Sequence, residues 1–141
     1  MFTETRYPGI PELELQTIAE SPFWVGDIPV QPIQVWHHRM PVLGFRFGSF
    51  TYITDANRIE EEERNKIRGS EVLVLNALRK EPHLSHFTLD EAISMIQTLQ
   101  VPQGYLTHLS HQMGLHASVA AALPKGIELA YDGLELHFPA K

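Results

Sequence analysis

Three side chains far apart in the sequence have types and settings that suit metal-assisted chemistry. They are His37 in VWHHRMPVLGF, Asp55 in TYITDANRI and His108 in YLTHLSH, and each closes an apolar, β-like run. A strand that stops at a His or Asp presents that group at the sheet edge, where ligands from distant parts of a chain can converge. Imidazole nitrogen and carboxylate oxygen hold zinc and other divalent ions. A carboxylate can also bridge two ions, the arrangement used for two-metal hydrolysis of phosphoesters.

The chain has 8 histidines, and His83, His86, His108, His111 and His116 fall in two short segments. Each has a bland reading beside the chemical one. A His at a strand end can be merely solvated or hydrogen bonded, and Asp55 can serve as a cap on backbone N–H groups of the segment that follows. His83 and His86 would share a helix face only in a helical segment, and Pro82 predicts a loop. His116 reads as a surface residue, and His137 has no partner pattern. Glu60 to Glu63 read as a solvated helix start favoured by the macrodipole. Trp24, Trp36 and the phenylalanines read as core.

The elements that must position these groups follow from periodicity and turn chemistry. Pro8, Gly9 and Pro11 predict an extended lead-in, with Leu13, Leu15 and Ile18 starting a weak first strand. Phe23–Val25 reads as a short strand that turns at Gly26-Asp27 into a run ending near Val35. There Pro29 and Pro32 suggest an edge strand with a bulge. Leu43–Phe47 and Phe50–Thr54, joined by Gly48-Ser49, read as a hairpin. EEEERNKI predicts a helix capped near Gly69, and Val72–Leu75 a strand buried on both faces. Thr88 and Glu91 match a capping box before Ala92, Ile93, Met95, Ile96 and Leu99. Tyr105–Leu109 should be a strand and Met113–Leu123 a helix stopped by Pro124. Ile127–Ala130 and Leu134–Phe138 read as strands flanking Asp132-Gly133. The order is antiparallel β first, then alternating α and β, in one α+β domain spanning 1–141.

Composition narrows the function. A chain of 141 residues, 43% hydrophobic, suits one domain, able to bury roughly two-thirds of its unfolded surface. The formal charge is −6, from 17 acidic and 11 basic residues, with no basic cluster beyond an Arg-Lys pair, which disfavours a broad nucleic-acid surface. There are 0 cysteines, so disulfides, zinc-thiolate sites and thiol catalysis are excluded. No apolar run approaches the ~18 residues of a membrane span, and the start MFTETRYPGIPELEL lacks a basic region followed by an apolar core. A cytoplasmic protein is expected.

Five segments, in this order and spacing, carry a family resemblance: PIQVWHHRMPVLGFR, FTYITDAN, LSHFTLDEA, YLTHLSHQ and LPKGIELAYDGLEL. Over essentially its whole length the chain resembles the C-terminal half of a metallo-β-lactamase-fold hydrolase, nearest the phosphoribosyl cyclic phosphodiesterase branch. The resemblance implies half of an αββα sandwich, a mixed β-sheet with helices on one face. It implies His37 as a ligand of the first metal, Asp55 as the bridge and His108 as a ligand of the second. His86 would protonate the leaving group or stabilise developing charge. His111 would orient His108 from behind. His38, where the family commonly has Gly, competes with His37 and otherwise stands behind it; spacing to Gly44 favours His37. The implied reaction is hydrolysis of a phosphodiester by water activated between two divalent ions, zinc or manganese.

The family's HxHxDH element, which supplies four metal contacts from the N-terminal half, occurs nowhere in the sequence. The expectation is therefore weak metal binding by this chain alone. The inner sheet face of a half-fold would be apolar and in need of cover, from a missing N-terminal half or from a second copy in a homodimer. Three readings follow: the metal-site half of a phosphodiesterase acting on a small phosphodiester, a catalytically silent truncated domain that dimerises, and a small α+β binding module with coincidental histidines.

Overall fold

The computed structural model describes residues 8–139. One mixed sheet of seven strands runs in chain order, β1-β2-β3-β4-β5-β6-β7. The strands are β1 Phe23–Val25, β2 Ile28–His37, β3 Met40–Phe47, β4 Phe50–Ile53, β5 Val72–Asn76, β6 Gln103–Thr107 and β7 Ile127–Leu129. The first four form an antiparallel meander, and β4 to β7 are mutually parallel. Parallel neighbours need crossovers, supplied by α1 Glu61–Ile67, α2 Leu89–Thr98 and α3 His116–Ala122.

Period-two alternation gives each strand two different faces. Ile33, Val35, Ile53, Leu73, Leu75, Leu106, Ile127 and Leu129 form one buried cluster with Ile67 of α1, Ala92, Met95 and Ile96 of α2, and Val119 of α3. All three helices therefore cover the same face. α2 lies close because β6 presents Gly104 to it: a Cβ there would stand 2.7 Å from Ile96 Cδ1. Its start is the expected capping box, with Thr88 Oγ1 accepting from Glu91 N–H and the Glu91 carboxylate accepting from Thr88 N–H. The end of α1 is closed by Arg46 of β3, which donates to the carbonyls of Lys66 and Arg68.

The opposite face carries Phe45 and Phe47 beside Tyr52 and Phe50, then Val74 beside Tyr105. Its rings touch in a chain. Phe45, Phe47 and Phe50 follow one another at centroid distances of 6.5 and 6.3 Å, and Phe138 rests on Phe50 at 5.3 Å. Phe47 remains 37% exposed and Tyr52 41%. Helices on one side and a bared aromatic face on the other are what half of an αββα sandwich looks like.

Several expectations need correction. β2 is one uninterrupted strand without a bulge, in continuous register with β3 from Gln31 to His37. Pro32 is tolerated because of where its missing N–H would fall. The N–H groups of Gln34 and Trp36 point away from β3, to Glu63 and to the Arg58 carbonyl, so by alternation Pro32 also faces that outer edge. Leu13 and Leu15 alternate but Ile18 falls out of step with them, and all three lie in no strand and are exposed, Leu15 by 92%. Two alternating positions are too few to mark one face of a half-buried strand.

The strand expected over Tyr105–Leu109 lies two residues earlier. The helix expected from Met113 is split by Gly114 (φ 108) into a 3-10 turn, His111–Met113, and α3. Residues 134–138 form no strand; the segment leaves β7 through a turn at Gly133 (φ 90) and carries Phe138 to the aromatic face. Trp24 is 69% exposed, Trp36 is half-buried beneath the Arg58 guanidinium, and among the described phenylalanines only Phe87 joins the buried cluster. Glu63 is not a solvated charge either. It binds Lys66 and the N–H of Gln34 and so ties α1 to β2.

Candidate metal centre

The candidate groups gather along one end of the sheet, past the last residues of β2, β4 and β6 and on the loop between β5 and α2. Where a parallel sheet ends, strand termini leave room between successive crossovers, so side chains from several strands can meet. His37 is the last residue of β2. Asp55 lies two residues beyond β4 and His108 one beyond β6. Both take left-handed backbone, φ 58 and 59, a conformation that L-residues hold only when their surroundings enforce it.

For Asp55 the enforcing group is Asn76, at the end of β5. Fully buried, its Oδ1 accepts from Ala56 N–H and its Nδ2 donates to the Ala56 carbonyl. That carbonyl also accepts from Phe87 N–H, so one residue fixes both the turn after β4 and the loop that carries His86. Asn57 supplies a second tie. Its Oδ1 accepts from His38 N–H and its Nδ2 donates to the Leu84 carbonyl.

The side chains of this end form a tight group. One ligand atom each from His37, Asp55 and His86 lies within 4.8 Å of the others. His86 Nε2 is 3.1 Å and His108 Nε2 3.3 Å from the same Asp55 oxygen. The His86 ring stacks on His108 at 4.8 Å and meets His37 edge-on at 4.9 Å. His86 is the most enclosed, its side chain 11% exposed against 44% for Asp55 and 41% for His108. Burial lowers its pKa from the ordinary 6.5; the hydrogen bond to Asp55 opposes that, and His108, His37 and His83 add to it. An imidazole cluster around one carboxylate fits a divalent cation, because the donor set is nitrogen and oxygen.

The structure thus brings together His37, Asp55, His86 and His108, with His86 inside the potential ligand group rather than apart from it. His38 is exposed in the β2–β3 turn with φ 57, and its backbone N–H goes to Asn57. His111 begins the 3-10 turn and is exposed; among the described residues no hydrogen bond joins it to His108. The loop from Leu109 is held by Ser110 N–H on the Leu78 carbonyl, which commits His111 to that turn. Sequence reasoning missed Asn76, Asn57, His83 and Ser85. Asn76 left a signal, a lone amide closing the apolar run VLVL; Asn57 left none.

Comparison with known proteins now bears on this geometry. Residues 2–109 match the model of the beta-lactamase superfamily domain. The chain belongs to this superfamily. A diphosphatase of the PhnP family has the same fold, with a TM-score of 0.87 and 36% identity, over 89% of this chain and 49% of that one. Zinc-bound PqqB from Methylobacterium extorquens shares the superfamily fold at a TM-score of 0.63 and 20% identity, over 87% of this chain and 52% of that one. Among curated proteins, an octanoyltransferase of Porphyromonas gingivalis is 37% identical over 137 residues, 96% of this chain and 28% of that protein. The chain therefore spans about half the length of its structural relatives and a smaller part of the curated one. The sequence predicts a metallo-β-lactamase fold nearest the phosphoribosyl cyclic phosphodiesterase branch; the fold is the one found, in a PhnP-like branch.

Proposed function

We propose that this chain is the C-terminal, metal-binding half of a hydrolase acting on phosphodiester or diphosphate bonds. The observation that carries the proposal is the convergence of His86 and His108 on one Asp55 carboxylate oxygen, with His37 alongside. The 36% identity to a diphosphatase supports the bond class. Asp55 and the two strand-end histidines, His37 and His108, would hold divalent ions, zinc or manganese. Such ions, when bound, supply Lewis acidity at the phosphoryl group and ease deprotonation of water.

The chain's own residues do the rest. Asp55, shared by two imidazoles, fixes their mutual orientation. His86, enclosed between His37 and His108, offers Nε2 toward the site as the atom that hands a proton to the leaving oxygen. The name octanoyltransferase supports no acyl-transfer reading here, since this chain matches 28% of that protein and has 0 cysteines.

The remaining ligands would come from an N-terminal half bearing HxHxDH, packed on the aromatic face. The second reading is a catalytically silent domain that dimerises through that face, favoured by the exposure of Phe47 and Tyr52. Zinc or manganese titration separates the two, followed by hydrolysis of bis(p-nitrophenyl) phosphate with and without an added HxHxDH half. Expected are weak binding by the chain alone, lost in Asp55→Asn, and turnover only with both halves. Failure to bind either ion, together with no turnover when both halves are present, would sink the hydrolase reading.

A further inference from the structure

β3 and β4 lie between β2 and β5 in the sheet, so three ladder spacings of roughly 4.8 Å would leave the ends of β2 and β5 about 14 Å apart. The rings of His37, at the end of β2, and His86, on the loop after β5, nevertheless meet at 4.9 Å. No ladder sets that distance. Other bonds must draw the two segments together.

The stretch from Asp55 to Arg58 grips both segments. On the His37 side, Trp36 N–H donates to the Arg58 carbonyl at 3.0 Å, and Asn57 N–H donates to the Trp36 carbonyl at 2.8 Å, a short antiparallel bridge to the end of β2. On the His86 side, Phe87 N–H donates to the Ala56 carbonyl at 2.9 Å. One side chain joins the two grips. Asn57 Oδ1 accepts from His38 N–H at 2.9 Å, and its Nδ2 donates to the Leu84 carbonyl at 3.2 Å. His37 thus lies between bonded neighbours at 36 and 38, and His86 between bonded neighbours at 84 and 87. A carboxamide suits the place because it offers an acceptor and a donor in one plane, where a carboxylate offers acceptors alone.

We propose that Asn57 is a positioning residue: by clasping the β2–β3 turn to the loop between β5 and α2, it sets the spacing of His37 and His86 around Asp55. These are protein-to-protein bonds, and a cation is not needed to form them. That the spacing serves a bound divalent ion rests on the hydrolase reading; the clasp itself does not. Groups that orient metal ligands from behind commonly govern affinity without touching the ion.

The test is the nuclear Overhauser effect between the His37 and His86 rings in the metal-free chain, read together with hydrogen exchange at the His38 amide. The wild type should show the ring contact and a protected amide. Asn57→Leu, similar in size but without either bond, should lose both. Asn57→Asp, which keeps an acceptor for His38 N–H and lacks the donor to Leu84, should keep the amide protected and still lose the ring contact. Both variants should retain a cooperative urea transition, because the Asn57 side chain is only half-buried. Cobalt(II) binding, followed by visible absorption, should weaken by about 10- to 100-fold in Asn57→Leu. A ring contact of wild-type strength in either variant, or an unprotected His38 amide in the wild type, overturns the proposal. The ring contact decides the clasp whether or not cobalt binds. Its expected loss in both variants, with no hydrolysis by the wild type once both halves are assembled, would instead overturn the hydrolase reading alone.

Discussion

A single amide, that of Asn76, does at the end of β5 what a backbone strand would otherwise do. It meets both the N–H and the C=O of Ala56 in a place sealed from water; the C=O keeps Phe87 N–H as a second donor, while the N–H depends on Asn76. Removing Asn76 strands that buried donor, at a desolvation cost of about 1–3 kcal/mol, and leaves a cavity where the amide stood. Asn76→Ala should therefore destabilise the fold by about 2–4 kcal/mol, read by urea denaturation. It should also release the left-handed turn at Asp55 and weaken metal binding beyond the loss of stability. A variant of wild-type stability would mean that the turn is held by Phe87 N–H alone. The wider lesson at this scale is that the chemically suggestive side chains depend on unremarked ones. His37, Asp55 and His108 stand out in the sequence by type and position, while Asn57 and Ser85 take on meaning only through their partners.

At the scale of elements, turn and cap chemistry were legible and boundaries less so. The Gly48-Ser49 hairpin, the capping box at Thr88 and the end of α1 at Gly69 all depend on a few neighbouring residues, and all are present. The misread stretches depend on neighbours distant in sequence. Residues 134–138 alternate but join no strand, Leu13–Ile18 holds its alternation for only two apolar positions, and β2 tolerates Pro32 because its nitrogen points away from β3. Gly104 is the sharpest case, since its lack of a side chain is what lets α2 sit on β6. Gly104→Ala places a methyl 2.7 Å from Ile96 Cδ1 and should cost about 1–3 kcal/mol by overpacking. Gly104→Ala combined with Ile96→Val should recover part of that loss. An additive double variant in thermal melts would show that the two residues do not press on each other.

At the scale of the molecule, the unusual property is the imbalance between the two sheet faces. One is packed by three helices, and the other shows a run of touching aromatic rings, met by Phe23 of β1 at Phe45 and by the C-terminal segment through Phe138. Contiguous apolar surface of this kind is rarely left to water. Alone in solution the chain should self-associate through it, with sedimentation showing concentration-dependent dimers and an environment-sensitive dye binding the face. Phe47→Lys with Tyr52→Lys should give a monomer with unchanged helix content and reduced dye binding. A wild type that stays monomeric and dye-free at high concentration would contradict this account of the face. No described helix is long and apolar enough to cross a membrane.

Taken alone, the sequence determined the family, the α+β order, the antiparallel-then-parallel division and the identities of His37, Asp55, His86 and His108. These rest on local patterns: alternation, turn residues, and His or Asp at the ends of apolar runs. Tertiary structure alone decided that His86 and His108 share one Asp55 oxygen with His37 alongside, that His86 stacks on His108, that His83 and Ser85 stand behind it, and that His111 does not meet His108 among the described residues. Such facts depend on register and crossover, which set distances between residues remote in the chain. Spacing along a sequence does not carry that information.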